Sequence, residues 1–236
     1  GALPGIEVEG LFTHFSRADE MEKTSAMTQL GRYLHFTELL KARGMEIPIK
    51  HCSNSAGIID LPQANLNCVR AGITMYGMYP SEEVQKDKVP LKPALGLKSF
   101  VTYVKELGPG EEISYGGTYV TERTMRIATV AVGYGDGYPR SLSNCGYVLI
   151  CGKRARILGR VCMDQLMVDV TDIMEADVDT PVTLIGKDGD EEITMEHLAE
   201  LCGGFHYEMV CDIGKRVPRV YYRGGKVVGT MDCFAE

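Results

Sequence analysis

The pattern of apolar residues changes near residue 90, and this change constrains the fold more than any other feature of the sequence. Before it, apolar runs of strand length such as VEGLFTHF and IPIKHCSN alternate with helical patterns, an order typical of a parallel sheet with helices outside. After it, runs such as MRIATVAVGY and QLMVDVTD follow a two-residue period and are separated by glycine-rich turns. The sequence therefore predicts an α/β plus β protein, with part of a (β/α) barrel over residues 1–88 and a mostly antiparallel β domain over residues 89–236.

Periodicity, glycine and proline place the elements of the first part. A long helix is predicted from about Asp19 to Arg43, with Gly44 at its end. SAGIIDLP predicts a short helix or turn that Pro62 ends, and NCVRAGITMYG predicts a further strand. The apolar residues predicted near one face of the long helix are Met27, Leu30, Leu34 and Leu40.

The second part contains fewer helical signals. DGD at 188–190 predicts a hairpin turn. A helix is predicted from about Thr194 to Leu201, with Thr194 as its N-cap and Gly203 as its stop. RVPRVYYRGGKVV predicts a final strand.

The net charge and the cysteines limit the class of protein. The formal net charge of −7 gives no electrostatic reason to expect nucleic acid or an anionic membrane as a partner. None of the eight cysteines forms a C-x-x-C pair, so we assign no metal ligands, and their scatter is typical of proteins in a reducing cytosol. No apolar run reaches the length of about 18 residues that a membrane helix needs. We expect a soluble cytoplasmic protein.

Polar residues follow three successive strands of the first part. His14 ends the first strand, His51 and Ser55 follow the second, and Arg70 and Gly72 follow the third. In βα-barrels such positions more often serve an active site than the fold. Taken singly, Ser55 suits either a phosphate site or a simple helix N-cap, and Arg70 suits either an anion or ring-nitrogen contact or a buried salt bridge. Their coincidence favours a functional site.

Three loops of the second part carry residues of interest. EEISYGGTY (111–119) places two tyrosines around a Gly-Gly pair, and GRVCMDQ (159–165) places Arg160, Met163 and Asp164 on a turn between strands. GYGDGYPR (133–140) lacks the spacing of a nucleotide loop, so we interpret it as the wall of a pocket. Neither G-x-S-x-G nor H-E-x-x-H is present.

Together these segments resemble alanine racemase, a pyridoxal 5'-phosphate (PLP) enzyme. The matching motifs, in the family's order and over essentially the whole chain, are THFSRAD, HCSNSA, VRAGITMYG, ISYGGTY, VGYGDGYPR, GRVCMDQ and RVPR. The resemblance implies a TIM-type barrel that binds PLP, followed by a β domain. It implies an isomerase that interconverts L- and D-alanine by a two-base mechanism and supplies D-alanine for peptidoglycan. It also implies a head-to-tail homodimer.

The resemblance assigns roles to individual residues. His14 resembles the residue packed against the cofactor ring, Arg70 the arginine that faces the pyridine nitrogen, and His51 the support behind that arginine. Tyr115 resembles one of the two catalytic bases, which in the family reaches the partner's cofactor. Met163 resembles the residue whose backbone N–H meets the substrate carboxylate. The positions that resemble the phosphate site are Ser55, Gly72 and Ile73. The positions that resemble the substrate corridor and its support are Asp19, Tyr134, Arg140, Arg160, Asp164 and Ile213.

The sequence departs from the family pattern at the cofactor lysine. In the family this lysine lies before the position of His14, holds PLP as a Schiff base and is the second base. None of the thirteen residues before His14 is lysine, and Lys50 belongs to a different strand. We therefore expect a C-terminal fragment that is inactive alone and that forms a homodimer or associates with a missing N-terminal half. A non-catalytic fragment or interaction module is the alternative.

A second departure concerns substrate choice. Lys215 stands where the family often has a tyrosine that helps to hold the phosphate and borders the substrate methyl group. A lysine can contact phosphate as a cation, so we assign Lys215 to cofactor binding. Because it also reshapes the side-chain pocket, a serine or broad-specificity amino-acid racemase is a further alternative.

Overall fold

The computed structural model describes residues 3–234 and divides into two compact units, one ending at Ala94 and the other beginning at Leu95. In the first unit, strand β1 (Gly10–Phe12) pairs in parallel with strand β2 (Ile49–His51), and helix α1 (Thr24–Ala42) connects them. Helix α2 (Ser55–Asp60) follows β2. This is the βαβ order that the sequence predicts.

The third predicted strand of this unit is wrong in extent. NCVRAGITMYG contributes one parallel bridge, between His51 and Cys68, and then a 3-10 turn over Ile73–Tyr76. The turn ends at Gly77, whose φ of +77° favours glycine, and a Cβ there would lie 1.8 Å from the Lys92 carbonyl oxygen. The short bridge is nevertheless enough to bring Arg70 to the same end of the strands as His51, since the Arg70 N–H donates to the Ser53 carbonyl (3.0 Å).

Helix α1 also differs from its prediction. It begins at Thr24 rather than near Asp19, because the preceding segment is held as a loop: the Lys23 ammonium donates to the Ala18 carbonyl (2.8 Å). The predicted face is only partly correct, since Leu30 is buried while Met27 and Leu34 are about two-fifths exposed. The residues that α1 buries are Ala26, Leu30, Tyr33 and Thr37. Of these, Ala26, Leu30 and Tyr33 pack into a core whose other members include Phe15, Cys52, Ala56, Ile59 and Leu61.

The second unit is built on a closed antiparallel β barrel. Its strands are β3 (Leu97–Leu107), β6 (Met125–Val130), β7 (Tyr147–Ile150), β8 (Lys153–Leu158), β9 (Leu166–Asp169) and β10 (Pro181–Asp188). They pair in the order β10-β3-β6-β9-β8-β7, and β7 pairs again with β10. Closure leaves this sheet without an open edge among these six strands. Alternation along the paired strands places Val148, Ile157, Val168 and Val182 on the same inner face, and all four are without measurable exposure.

Shorter elements decorate the barrel. Strands β4 (Glu112–Ile113) and β5 (Tyr119–Val120) frame the Tyr115 turn, and β11 (Glu191–Ile193) pairs with β10 through the DGD hairpin, as predicted. Helix α3 (Met195–Cys202) has the predicted cap, because the Thr194 hydroxyl accepts the His197 N–H (3.1 Å). Helix α4 (His206–Asp212) was not predicted, and the predicted final strand is a hairpin of β12 (Arg219–Arg223) and β13 (Lys226–Met231).

Between residues 3 and 234, no helix combines the length and the apolar character needed to cross a membrane.

Candidate active site

Arg70 is the centre of a polar cluster in the first unit. Its Nη1 donates to His51 Nδ1 (2.5 Å), and its Nη2 donates to the carbonyls of Cys52 (2.9 Å) and Thr13 (3.1 Å) and to His14 Nδ1 (3.3 Å). No carboxylate in the described part of the chain pairs with Arg70, so the salt-bridge alternative is wrong. These acceptors occupy both Nη atoms, and the Nε–H has no acceptor among residues 3–234.

A ring stack supports this cation. The Phe12 ring lies 5.3 Å from the His51 ring at an angle of 12°, and the Arg70 guanidinium lies 5.4 Å from the Phe12 centroid. Burial, and secondarily the positive charge of Arg70, hold the pKa of His51 below its ordinary value. A neutral His51 can accept the Arg70 hydrogen bond through Nδ1. Phe12 receives no role in the sequence analysis, although it ends strand β1, two residues before His14.

Ser55 lies beside this cluster but is not the cap of helix α2. The cap is Asn54, whose side-chain oxygen accepts the Gly57 N–H (3.0 Å). The buried Ser55 hydroxyl accepts the Gly72 N–H (3.0 Å) and lies 3.1 Å from the Thr74 hydroxyl. The simple N-cap alternative is therefore wrong. Hydroxyl groups and the neighbouring main-chain N–H of Ile73, which has no acceptor within residues 3–234, form a donor set that suits an anion.

Asp19 lies on the loop before helix α1. Its carbonyl accepts the Ser81 hydroxyl (2.5 Å), and Lys23 ties the same loop to Asp60, with Nζ and Oδ2 2.7 Å apart. Asp19 makes no hydrogen bond to Arg70 or His14 among the described residues.

Tyr115 lies on a tight turn of the second unit and is 72% exposed. Three residues of this turn have left-handed φ angles: Ser114 (+66°), Gly116 (+73°) and Gly117 (+53°). The Ser114 hydroxyl donates to the Arg160 carbonyl (2.6 Å), and a Cβ on Gly116 would lie 3.0 Å from Arg160 Nη1. The structure thus brings together the Tyr115 turn and Arg160, which the sequence places on separate loops.

The turn that carries Met163 is clamped by the glycine loop at 133–137. The Tyr134 N–H donates to the Cys162 carbonyl (3.0 Å), and the Gly135 N–H donates to the Met163 carbonyl (2.8 Å). Residue 133 must be glycine here, because a Cβ would lie 2.2 Å from the Cys162 oxygen. The N–H of the half-exposed Met163 has no acceptor among residues 3–234. The glycine loop therefore holds a backbone donor that is free to bind an anion.

Arg216 joins these two loops. Its Nε lies 2.7 Å from Asp136 Oδ1 and its Nη2 lies 2.7 Å from Asp164 Oδ1. Hydrogen bonds to both carboxylates raise the pKa of Arg216. Asp164 receives a role in the sequence analysis but Arg216 and Asp136 receive none, although these two lie in the motifs RVPR and VGYGDGYPR.

Three predicted residues make no side-chain hydrogen bond or ion pair with this group among residues 3–234. Arg140 and Lys215 are exposed, and neither side chain has a hydrogen bond or ion pair among the residues that the structure describes. Ile213 is buried, and its carbonyl accepts the Arg219 Nη2 (2.9 Å). No three His, Cys, Asp or Glu side chains within residues 3–234 are close enough to hold a metal ion.

Comparisons with known proteins cover both units. The family described as alanine racemase, C-terminal domain, matches residues 94–221, and alanine racemase, N-terminal domain, matches residues 1–80. The alanine racemase of Clostridium perfringens strain SM101 is 48% identical over 227 residues, which are 96% of this chain and 59% of that protein. The alanine racemase of Methanococcus maripaludis is 48% identical over 219 residues, which are 93% of this chain and 58% of that protein.

Solved structures agree in fold. An alanine racemase from Clostridium difficile 630 in complex with cycloserine has a TM-score of 0.92 and 41% identity, covering 99% of this chain and 61% of that one. An alanine racemase from Bacillus anthracis with bound L-Ala-P has a TM-score of 0.92 and 41% identity, covering 97% of this chain and 59% of that one. The chain spans about three-fifths of the length of these relatives. It has the family's fold, part of a TIM-type barrel followed by an antiparallel β domain, and it belongs to the alanine racemase family.

Proposed function

We propose that this chain forms the larger part of a PLP-dependent alanine racemase of the cytoplasm, and that Tyr115 is one of its two proton-transferring bases. The observation that carries the proposal is the set of hydrogen-bond partners around Arg70. Arg70 is a cation fixed by carbonyls and neutral rings, without a carboxylate among the described residues, and it keeps an unused Nε–H. Family membership and the names of the relatives support the same reaction.

The donor set of the first unit fits PLP. Arg70 offers the N–H for the pyridine nitrogen, and His14 beside it offers a ring to pack against the cofactor. The hydroxyls of Ser55 and Thr74 and the N–H of Ile73 offer hydrogen bonds to phosphate oxygens. In our proposal Gly72 lets the chain approach the phosphate closely, and Lys215 of the second unit adds a positive charge for it.

Arg70 would determine how strongly the cofactor acts. When bound, PLP draws electrons from the α-carbon of the amino acid and so acidifies its proton. Arg70 donates a hydrogen bond to the ring nitrogen and does not give up its own proton, since the pKa of arginine exceeds about 12. It therefore keeps that nitrogen unprotonated, which moderates the electron withdrawal and suppresses side reactions such as transamination. His51 fixes the guanidinium from behind.

Two groups of the second unit would act on the amino acid. The exposed Tyr115 hydroxyl would take the α-proton from one face or return it, and the glycines that follow let its turn pass close to another surface. The free Met163 N–H would bind the substrate carboxylate. In our proposal Asp19, Tyr134, Arg140, Arg160, Asp164 and Ile213 line or support the corridor to the site.

The second base is outside this chain in our proposal. The relatives are longer, and we assign the lysine and the remaining barrel strands to the part of the family's length that residues 1–236 do not cover. A direct test is a fusion protein. Its N-terminal part is the portion of the Clostridium perfringens relative that this chain does not cover, and its C-terminal part is this chain. The fusion should interconvert L- and D-alanine when PLP is added.

Tyr115→Phe in this fusion tests the catalytic assignment. It should lower kcat by about 10²–10⁴-fold, the usual contribution of a positioned acid or base, and leave PLP binding unchanged. Tyr119→Phe is the matched control, because Tyr119 lies next to the Tyr115 turn, at the start of strand β5, but its hydroxyl contacts Met125 Sδ (3.6 Å). Equal activity of Tyr115→Phe and the parent fusion would remove Tyr115 from the mechanism. A parent fusion that binds PLP without turnover would favour the non-catalytic alternative.

We also propose that two chains associate head to tail so that Tyr115 serves the partner's cofactor. Mixing fusions that carry Arg70→Met and Tyr115→Phe tests this, since a mixed dimer would contain one intact site. Activity should return to about a quarter of the parent value when subunits exchange at random. No recovery would mean that Tyr115 acts within its own chain.

The lysine at position 215 favours serine as a second candidate substrate. Its exposed ammonium has no partner among the described residues, where the family often has a tyrosine. If it shapes the substrate pocket, Lys215→Tyr should raise the ratio of kcat/KM for L-alanine over L-serine. An unchanged ratio would assign Lys215 to the phosphate alone.

A further inference from the structure

We propose that Arg216 is a positioning residue that aims the Met163 N–H at the substrate carboxylate, an inference that rests on the proposed function. The Met163 turn has no regular secondary structure of its own. Its peptide planes are set from outside, by the N–H groups of Tyr134 and Gly135, which bind two successive carbonyls. Because N–H and C=O point in opposite directions across a trans peptide, fixing the Cys162 carbonyl fixes the direction of the Met163 N–H.

The glycine loop can hold the Met163 turn in place only if the loop itself is fixed. Asp136 performs part of this task, since its Oδ2 accepts the Gly133 N–H (2.9 Å) and closes the loop on itself. Its carbonyl accepts the Gly214 N–H (2.9 Å), which connects the loop to the segment that carries Arg216. Asp136 therefore anchors the loop twice, through its side chain to Gly133 and through its carbonyl to Gly214.

Arg216 completes the connection from the glycine loop to the Met163 turn. Its guanidinium binds Asp136 on the glycine loop and Asp164 on the Met163 turn. Its Nη2 also lies 3.5 Å from the Met163 carbonyl oxygen. The planar fork of arginine can hold two carboxylates at fixed angles, whereas an ammonium is a single point charge. Without it, two like charges would face each other across the turn, and both loops would lose their common anchor.

The glycines of the loop fit this arrangement. A Cβ on Gly135 would lie 2.7 Å from Arg216 Nη2, and a Cβ on Gly137 would lie 2.0 Å from the Asp212 carbonyl oxygen. The guanidinium is thus packed directly on the backbone whose N–H holds the Met163 carbonyl. An exposed ion pair that served only solubility would need no such contact.

The first experiment uses the chain itself and hydrogen exchange at the Gly135 amide. Arg216→Met should speed exchange at least about tenfold, which corresponds to about 1.4 kcal/mol of lost protection. Arg216→Lys should fall between that variant and the parent. The matched control is Arg154→Met, because Arg154 makes an Nε–carboxylate contact of the same length (2.7 Å, to Glu191) in the same unit, away from both loops. Unchanged exchange in Arg216→Met would overturn the proposal.

The second experiment uses the racemase fusion and separates positioning from general destabilisation. A misaimed Met163 N–H weakens binding of the carboxylate in the ground state and the transition state alike, so KM for L-alanine should rise about tenfold with kcat nearly unchanged. Loss of folded enzyme would instead lower kcat and leave KM as it is, and that result, or an equal change in Arg154→Met, would overturn the proposal. If the parent fusion does not racemise alanine, the proposed function fails, while Gly135 exchange still decides whether Arg216 holds the loop.

Discussion

The two units of the chain hold their candidate site residues in opposite ways. In the first unit Arg70 is fixed by side-chain hydrogen bonds to groups on two different segments, Thr13–His14 and His51–Cys52. In the second unit Tyr115 is mostly exposed, makes no hydrogen bond through its hydroxyl among the described residues, and is placed by backbone angles that disfavour ordinary side chains. In the proposed function Arg70 would hold a rigid cofactor, which suits a side chain fixed by hydrogen bonds. Tyr115 would reach a reacting atom on another surface, which suits a side chain carried on an exposed backbone turn.

The sheets of the two units also differ, in how completely their strands are paired with neighbours. Strands β1 and β2 form a two-stranded parallel pair of three residues each, which leaves open edges. The six barrel strands of the second unit close on one another, so each has a neighbour on both sides. Isolated two-stranded pairs are marginal in water, whereas a closed barrel opens only as a whole. The chain should therefore be unevenly stable along its length.

Hydrogen exchange of the intact chain should show the largest effect. Amides of β6 and β9 should exchange about 10³-fold more slowly than those of β1 and β2, because local opening of an edge pair costs far less than opening the barrel. The hairpin β12–β13 is the internal control, since it lies in the second unit but has open edges. It should exchange like β1 and β2. Equal protection of all these strands would contradict the comparison.

The first unit should depend strongly on one buried ion pair. Asp60 has no exposed side-chain surface, its Oδ1 accepts the Gln85 N–H (3.1 Å), and its Oδ2 lies 2.7 Å from Lys23 Nζ. Lys23→Met leaves that carboxylate buried without its partner and should lower the free energy of unfolding by about 3 kcal/mol, measured by denaturant titration. Lys86→Met removes an equally short but exposed pair with Glu82 and should cost less than about 1 kcal/mol. Similar losses in both variants would contradict this assignment.

The sequence was most informative where local chemistry decides the structure. The cap of α3, the DGD hairpin and the change from parallel to antiparallel pairing are confirmed, and each depends on neighbours in sequence. Helix α1 begins later than predicted because Lys23 and Glu83 hold the preceding loop, and Glu83 is 62 residues from the Met21 N–H that it accepts. Arg216 was missed for the same reason, since its carboxylate partners lie 80 and 52 residues away.

Backbone strain at Ser114 gives the third test. Its φ of +66° and ψ of −178° lie in a region used almost only by glycine, at a cost of about 1–3 kcal/mol. Ser114→Ala keeps the strain and loses the hydrogen bond to Arg160, so it should destabilise the chain by about 1 kcal/mol. Ser114→Gly relieves the strain and should be more stable than Ser114→Ala.

Ser99 supplies the control for the expected order of stability of the glycine and alanine variants. Its hydroxyl also donates to a carbonyl, that of Ala131 (2.8 Å), but Ser99 lies in strand β3 with ordinary backbone angles. There the glycine variant should be less stable than the alanine variant by about 0.5–1 kcal/mol, because glycine loses more conformational freedom in a strand. The same order of stability at both positions would mean that Ser114 carries no strain that matters.

The smallest expected effect is a pH dependence confined to the first unit. Burial and the charge of Arg70 lower the pKa of His51, so the unfolded state binds more protons than the folded state as pH falls. The stability that neutral His51 contributes is present above its ordinary pKa of about 6.5 and is lost as pH falls through the lowered value. A protonated His51 can no longer accept the Arg70 hydrogen bond, so the loss should appear as faster exchange in β2. His51→Asn keeps an acceptor but cannot titrate in this range, and it should remove that pH dependence. If the variant and the parent lose protection equally between about pH 7.5 and 5, His51 is not the titrating group, and Arg70 is held by its backbone carbonyls alone.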